Sequence, residues 1–576
     1  MSCNQNSSAT SCVSGAVSSA VSSETTINDA ATADATAATE AAAQNNMMPM
    51  TVFEIAAAVK GTVHVTYKNN SANSKRENII ATSVFTDSRQ VRKDSVFVAI
   101  AGEHVDGHDY VKKAEDLGAV LAIVEHVVEE SSIVQIVVKN CVQALGMLAK
   151  HNLERRKELP EAFTIIGITG SVGKTTTKDM LHALLNTLGS TVAPVGSFNN
   201  NIGLPLTALK VGSNTRFLVA EMGANHVGEI ENLTRIAPPD IAVVLKVGVA
   251  HLGEFGSVER IAQAKSEIVR GLVPHGLAVL NSDDSRVSAM SSLVENNHVR
   301  WFGRNIKNDS LESAQSGEYE LFASEVELDA LGKPVFTLNE VNNCESNCEN
   351  ANQTKVHLAI QGEHNVMNAL AAANVARYFG MSLENIAYVL SKVSHISPHR
   401  MQLSTVSYDG KEFTLIDDSF NANPDSMKAG IDGLCAYEHN VNAESSNLFR
   451  IAVLGSMLEL GENECELHAN IGSYAANSSV DAVIAVGSET DSDLDRLANC
   501  IVQGARDSWV NKKDSVDSAV RFAHSAKEAD SIVWKMVAEH PSSVVLLKGS
   551  HASGLSVLAE RWAKLPSFSE QTDGEK

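Results

Sequence analysis

Gly167-Ile168-Thr169-Gly170-Ser171-Val172-Gly173-Lys174-Thr175-Thr176-Thr177 joins an apolar stretch, residues 163–169, to a segment in which Met180, Leu181, Leu184, Leu185 and Leu188 recur at helical spacing. A buried strand turning through glycines into an amphipathic helix is the local plan of a phosphate-binding loop. Glycines let successive backbone N–H groups point inward around phosphate oxygens, and the helix N-terminus adds the positive end of its dipole. In this reading Gly170, Ser171, Val172, Gly173 and Thr176 form the cradle. Lys174 bridges the β- and γ-phosphates and the Thr175 hydroxyl ligates Mg2+. The loop is a variant, because the usual spacing puts a glycine five residues before Gly173, where Ile168 stands. A plain glycine-rich strand–helix turn is the alternative, and Gly-Lys-Thr in this strand–turn–helix context weighs against it.

Downstream, apolar strand candidates at 217–220, 241–249 and 277–280 alternate with helical stretches, which predicts a mainly parallel sheet with helices on its faces. Glu221 closes the first of these strands. A carboxylate at the carboxyl end of a parallel strand lies in the crevice where ligands bind, and it is a hard oxygen ligand suited to Mg2+. His251 ends the next strand in the same way; taken alone, it reads equally as a capping or buried histidine. Lys265 sits on a following helix and is by composition a surface lysine. Asn365 and Asn368, three apart on an Ala-rich helix, share one face. Each amide offers a donor and an acceptor that suit an adenine edge, and a core helix with polar caps is an equally compatible reading.

This central block is expected to span residues 159–397, with a polar, β-rich excursion and a loose insertion near 307–355. Before it, residues 48–158 carry a helix at 52–59, β segments at 79–85, 95–99 and 120–124, and a helix near 110–117. After it, residues 398–576 carry strands at 413–416, 451–454, 482–486 and 544–547 in a Rossmann-like pattern. The fold class is therefore α/β with three domains, the middle one a P-loop mononucleotide-binding domain. Residues 1–47, rich in Ser, Ala and Thr, read as a disordered tail with too few large apolar residues to offset ordering. Met47, Met48 and Met50 are candidate starts, and neither a secretory nor a mitochondrial leader pattern fits.

A chain of 576 residues with 46 basic and 69 acidic side chains has a net charge of −23. That excludes the broad positive field of a nucleic-acid binder while leaving room for a local anion site. No apolar run is long enough to span a membrane. The eight cysteines are scattered, with no zinc-site spacing beyond the lone pair Cys344 and Cys348, and read as free thiols of a reducing cytoplasm.

The loop from Thr169 to Thr175 resembles that of the Mur ligases and their folylpolyglutamate synthetase relatives, and the likeness covers nearly all of the chain outside the tail and a few insertions. The resemblance implies a UDP-substrate domain, an ATPase domain and a Rossmann-like C-terminal domain in a cytoplasmic, monomeric ligase. It implies that Glu221 and His251 hold a second magnesium, that Lys265 is carbamylated, that the helix of Asn365 and Asn368 lies beside adenine, and that Arg400, next to His399, lies near ribose and phosphate. Thr86-Asp87-Ser88-Arg89 and Asp106-Gly107-His108 resemble the uridine-nucleotide end of two late Mur ligases, which puts Ser88, Arg89 and Asp106 at the substrate.

The segments 197–205, 417–426, 454–462 and 547–550 resemble the branch that adds D-Ala-D-Ala to a UDP-muramoyl tripeptide, and carry Asn199, Asn200, Asp418, Asn421, Asn423 and Lys548 as substrate contacts. Ser456 stands where that branch usually has Asp, and the Asp-Asn-Pro-Arg signature of the diaminopimelate-adding branch is absent. The implied reaction uses ATP and Mg2+ to activate a carboxylate as an acyl phosphate. The alternatives are another member of the family, a P-loop regulatory ATPase that makes no bond, and a nucleotide-binding module without turnover.

Overall fold

Short apolar runs in which every residue is buried belong in a parallel sheet covered on both faces. The computed structural model, which describes residues 46–65, 79–102, 105–248, 252–304, 320–341, 352–394, 397–437, 448–509 and 515–565, shows how this chain meets that requirement. Strand Thr164–Thr169 lies between Ile241–Val244 and Phe217–Glu221, all parallel. Alternate side chains go to opposite faces, the consequence of a two-residue repeat. Ile165, Leu218, Ala220, Ala242 and Val244 join one core, and Ile166, Ile168, Phe217, Val219 and Val243 join the other. Helix Lys174–Asn186 covers the second core with Met180, Leu181, Leu184 and Leu185. Helix Val258–Arg270 covers the first with Ile261, Ala264 and Ile268. Each such Leu, Ile or Met side chain contributes about 1.5–3 kcal/mol on burial.

Among the described residues the central sheet has nine strands. From one edge they run Asn352–His357, Pro334–Val341, Glu320–Leu328, Val299–Gly303, Leu277–Asn281, Ile241–Val244, Thr164–Thr169, Phe217–Glu221 and Thr191–Val192. The polar region after residue 307 thus supplies three strands, the last two pairings being antiparallel; the rest of that insertion lies outside the described residues. The strand expected over 241–249 ends at Val244. Past Leu245 the backbone is drawn off the ladder: Asn281 Nδ2 donates to Leu245 O at 2.7 Å, Asp284 accepts from Val247 N at 2.8 Å, and Ser171 Oγ accepts from Gly248 N at 2.9 Å.

Two smaller sheets flank this one in sequence. The first holds Thr62–His64, Val134–Val137, Ala119–Val124, Ser95–Val98 and Ser83–Phe85 in that order, parallel except at the first pair. The other holds Gln402–Tyr408, Lys411–Asp418, Ser543–Lys548, Phe449–Gly455, Ala482–Val486 and Val520–Ala523, again with one antiparallel pair at the edge. Most of the stretch 491–517 is the helix Ser492–Ser508.

That helix also corrects the thiol expectation, because Cys465 and Cys500 form a disulfide. The two cysteines are 35 residues apart and meet only because Glu464–Asn477 and Ser492–Ser508 cross with their backbones nearly touching. A Cβ on Gly472 would collide with Ile501 O, and one on Gly504 with Ala469 O. Cys141 is buried and unpaired, and burial pushes its thiol up to about 12.

Asn152 joins the first block to the central one. Fully buried, it accepts from Met48 N at 2.9 Å and donates to Ala208 O at 3.0 Å and Val211 O at 2.9 Å. Asn152→Ala leaves Met48 N and Val211 O without partners and takes one of two bonds from Ala208 O, which still accepts from Val211 N at 3.2 Å, and we expect a loss of about 2–4 kcal/mol, read as a lowered urea midpoint by circular dichroism. A midpoint equal to that of the unchanged protein would show that the network does not bear on stability.

Candidate active site

Because the central strands are parallel, their carboxyl ends share one edge, and the chain leaves Thr164–Thr169 first toward one side and later toward the other. Such a switch point opens a crevice. Here it is a cleft of about 830 Å3. The loop residues Ser171 to Thr176 line it together with Asn199, Asn200, Glu221, Asn365, Asn368 and Arg400. Across from them stand Asp418, Asn421, Asn423 and Lys548 of the third sheet. Residues far apart in sequence, singled out individually, therefore meet in one place.

Gly173 opens the loop helix with φ +83°, a left-handed conformation that glycine adopts without strain. A Cβ there would collide with Asn368 Oδ1, so glycine is needed for both conformation and space. Lys174 Nζ donates to Gly170 O at 2.8 Å, holding the loop closed on itself. Burial depresses the Lys174 ammonium, Glu221 opposes that shift, and Arg400 adds to it. Ser171 N donates to Lys246 O at 2.8 Å, so this amide braces the loop.

Glu221 is fully buried at its strand end. Its Oε1 accepts from Asn199 Nδ2 at 2.9 Å and from the Thr175 hydroxyl at 3.4 Å. Its Oε2 is buried without a hydrogen-bond partner among the described residues. A buried carboxylate oxygen left over beside a threonine hydroxyl is an all-oxygen donor set, which fits a hard divalent cation such as Mg2+. Arg400 reaches Thr175 Oγ1 at 3.5 Å and stacks over the Phe420 ring, 4.5 Å from its centre. Asn365 and Asn368 are bonded to each other at 2.8 Å, and Asn365 also donates to Gln361 O at 2.6 Å.

On the opposite wall, Lys548 pairs with Asp418 at 2.9 Å and donates to Asn421 O at 2.6 Å. Burial lowers its ammonium and Asp418 opposes. Asn423 caps helix Pro424–Ala436 through Ser426 N at 2.9 Å, and Asn200 holds its own loop through Gly203 N at 2.9 Å. Sequence reasoning missed Phe420 as the platform for Arg400, and also Lys246 and Asp425, which pair at 3.3 Å across the cleft mouth.

Four expected residues stand apart. Ser88, Arg89 and Asp106 follow neighbouring strands of the first sheet and do not line this cleft. Arg89 folds back on Asp87, with Nη2 at 2.8 Å, and that hydrogen bond holds the Asp87 carboxyl down at about 2. Asp106 accepts from His108 Nδ1 at 2.6 Å. Lys265 is buried on its helix beside the Phe255 ring, 5.8 Å from its centre. Burial, then the charge of Lys174, bring its amine down to about 7. His251 lies outside the described residues.

A parallel sheet with this loop, facing a second parallel sheet over a shared cleft, defines a mononucleotide-binding α/β protein with a Rossmann-like partner domain. The chain matches the Mur ligase family catalytic domain over residues 81–153, the Mur ligase middle domain over 168–376 and the Mur ligase glutamate ligase domain over 399–551. It is 37% identical to the UDP-N-acetylmuramoyl-tripeptide–D-alanyl-D-alanine ligase of Mycobacterium tuberculosis over 533 residues, 89% of this chain and 98% of the relative. It superposes on MurF from Acinetobacter baumannii with a TM-score of 0.70 at 28% identity, covering 90% and 100% of the two chains. For the MurF ligase of Thermotoga maritima solved with ADP, the TM-score is 0.62 at 26% identity, covering 84% and 97%. The chain belongs to the Mur ligase family.

Gly173→Ala tests the loop. Displacing Asn368 or the loop should weaken ADP binding by about tenfold or more, equivalent to ~1.4 kcal/mol, in isothermal titration. Unchanged affinity would show that the loop tolerates a side chain there and that the close approach is incidental.

Proposed function

We propose that this protein is an ATP-dependent ligase that joins D-Ala-D-Ala to UDP-N-acetylmuramoyl-tripeptide. One observation carries the reading: Lys174, Thr175 and Glu221 of the central sheet share a cleft with Asp418, Asn421 and Lys548 of the third. The Mycobacterium tuberculosis relative, named as a ligase of that substrate pair, and the likeness to MurF from Acinetobacter baumannii support it. The domains divide the work, with 48–158 holding the uridine-nucleotide end through Ser88, Arg89 and Asp106, 159–397 holding ATP, and 398–576 holding the dipeptide. The tail boundary expected at residue 47 moves earlier, since Met47 is buried and its N donates to Thr82 O at 2.9 Å, and the cytoplasm is where the precursor and ATP meet.

A carboxylate is a poor electrophile. In the proposed reaction an oxygen of the tripeptide's terminal carboxylate attacks the γ-phosphorus, the bond to the β-bridging oxygen breaks, and ADP leaves. The dipeptide amine then attacks the acyl carbon, loses a proton, and expels inorganic phosphate to leave an amide. Lys174, once turned from Gly170 O toward phosphate, stabilises charge on the transferred group, and Arg400 lies within reach of the same oxygens. Thr175 and Glu221 would hold Mg2+, which supplies charge neutralisation when bound. Asn199 keeps Glu221 oriented, and the Asp418–Lys548 pair fixes the wall against which the dipeptide docks.

Phosphate release should require the tripeptide substrate and D-Ala-D-Ala together, with a pentapeptide product by mass; release indifferent to the dipeptide would overturn the assignment. Lys174→Ala should cut that release on the order of 10²–10³-fold or more while the circular dichroism spectrum stays unchanged. Near-normal turnover would remove Lys174 from the mechanism.

Lys265 supplies a pH test. A carbamate forms when a neutral amine attacks CO2, and an amine titrating at about 7 is mostly neutral above that pH and mostly protonated below it. With 13C-bicarbonate, a carbamate carbon signal should grow as pH rises through about 7 and be absent in Lys265→Arg. A signal that persists in the Arg variant would place the carbamate elsewhere.

A further inference from the structure

Lys178 breaks the pattern of the helix it stands on. It occupies the apolar stripe with Leu181 and Leu185, near the helix N-terminus where a positive charge is disfavoured, and it is 2% exposed. A buried cation is tolerated only where its hydrogen bonds are satisfied. Its Nζ lies 2.6 Å from Asp179 Oδ1, 3.0 Å from Pro194 O, 3.3 Å from Gly196 O and 3.0 Å from Ser397 Oγ. Asp179 accepts from Ser397 N at 2.9 Å and from Ser397 Oγ at 3.3 Å.

These acceptors belong to two segments that each deliver a side chain to the cleft. Three residues after Gly196, Asn199 donates to Glu221; three residues after Ser397, Arg400 reaches the Thr175 hydroxyl. We propose that Lys178, with Asp179, is a positioning residue of the ligase: its ammonium ties the 194–196 segment and the 397 segment to the phosphate-loop helix, so that Asn199 and Arg400 converge on the Glu221–Thr175 pair. The inference rests on the proposed ligase reading for its kinetic consequences. It does not rest on it for its structural ones.

The mechanism separates turnover from substrate capture. The uridine-nucleotide residues sit on the first sheet, so loss of the clamp should leave that anchorage in place while misplacing groups at the reacting phosphate. A displacement of this kind is worth up to about 10²-fold in rate.

The test uses the full chain and the variants Lys178→Met, Ser397→Ala and the two combined. Lys178→Met should lower kcat by about 10–100-fold with KM for the UDP-muramoyl tripeptide within about twofold. Ser397→Ala removes one acceptor of Lys178 and one donor to Asp179 and should lower kcat by about tenfold. The double variant should match Lys178→Met within about twofold, because both changes act through one clamp. Hydrogen exchange should rise together in 194–201 and 397–401 of each variant while residues 180–186 stay protected. Losses that multiply, a kcat within twofold of the unchanged protein, or exchange rising in one segment alone would overturn the inference. Should Lys178→Met not fold, Ser397→Ala decides by the same kcat and exchange criteria. If the unchanged protein shows no dipeptide-dependent phosphate release, the ligase reading fails, and the coupled exchange alone decides whether the clamp exists.

Discussion

The site is organised around a carboxylate that the fold has taken out of water. Glu221 is fully buried at the end of a central strand, and an isolated buried carboxylate costs several kcal/mol unless donors or cations compensate. One oxygen is held by Asn199 and Thr175, and the other has no partner among the described residues. No side-chain cation forms an ion pair with it among those residues; Lys174, whose charge it supports against desolvation, is turned onto Gly170 O. The chain therefore needs its neighbouring elements simply to keep Glu221 in place: the loop bearing Asn199, the helix bearing Thr175, and behind both the Lys178 clamp.

The two walls of the cleft are joined differently from the elements within each wall. Within the central sheet, ladders and two apolar cores fix position. Between the central sheet and the third, the contacts include Gly253 N to Glu459 O at 2.9 Å and the half-exposed pair Lys246–Asp425. An exposed ion pair contributes about 0–1 kcal/mol, so it orders this arrangement without locking it. A ligase that must admit three reactants and then exclude water from an acyl phosphate benefits from such a joint.

Much of the architecture was legible because its signals are local. The helix at 52–59 and the strand at 482–486 begin and end where apolar spacing placed them, and the loop followed from glycines, Gly-Lys-Thr and the leucine stripe. What escaped depends on packing that no local window contains. The strand at 241–249 stops early because Asn281, Asp284 and Ser171, all distant in sequence, take its backbone groups. The disulfide requires two helices to cross at Gly472 and Gly504. Asn423 and Asn200, read as substrate contacts, hold their own backbones, because asparagine serves caps and ligands with the same atoms. Lys178 did leave a local trace, a lysine on an apolar stripe, whose meaning appears only once Ser397 and Gly196 are seen around it.

Three buried lysines show why residue type alone could not assign roles here. Lys178 is surrounded by oxygen acceptors and a carboxylate, so its hydrogen bonds are satisfied and its side chain is held in place. Lys548 is held by Asp418 and by the Asn421 carbonyl; burial still lowers its ammonium, but the carboxylate opposes. Lys265 has an aromatic ring as its neighbour and no carboxylate at ion-pair distance among the described residues, while Lys174 repels its charge. Desolvation then prevails and favours the neutral amine, the form in which a lysine reacts with an electrophile. The same side chain thus meets three environments within one protein, and they differ in how many oxygens the fold brings to the nitrogen.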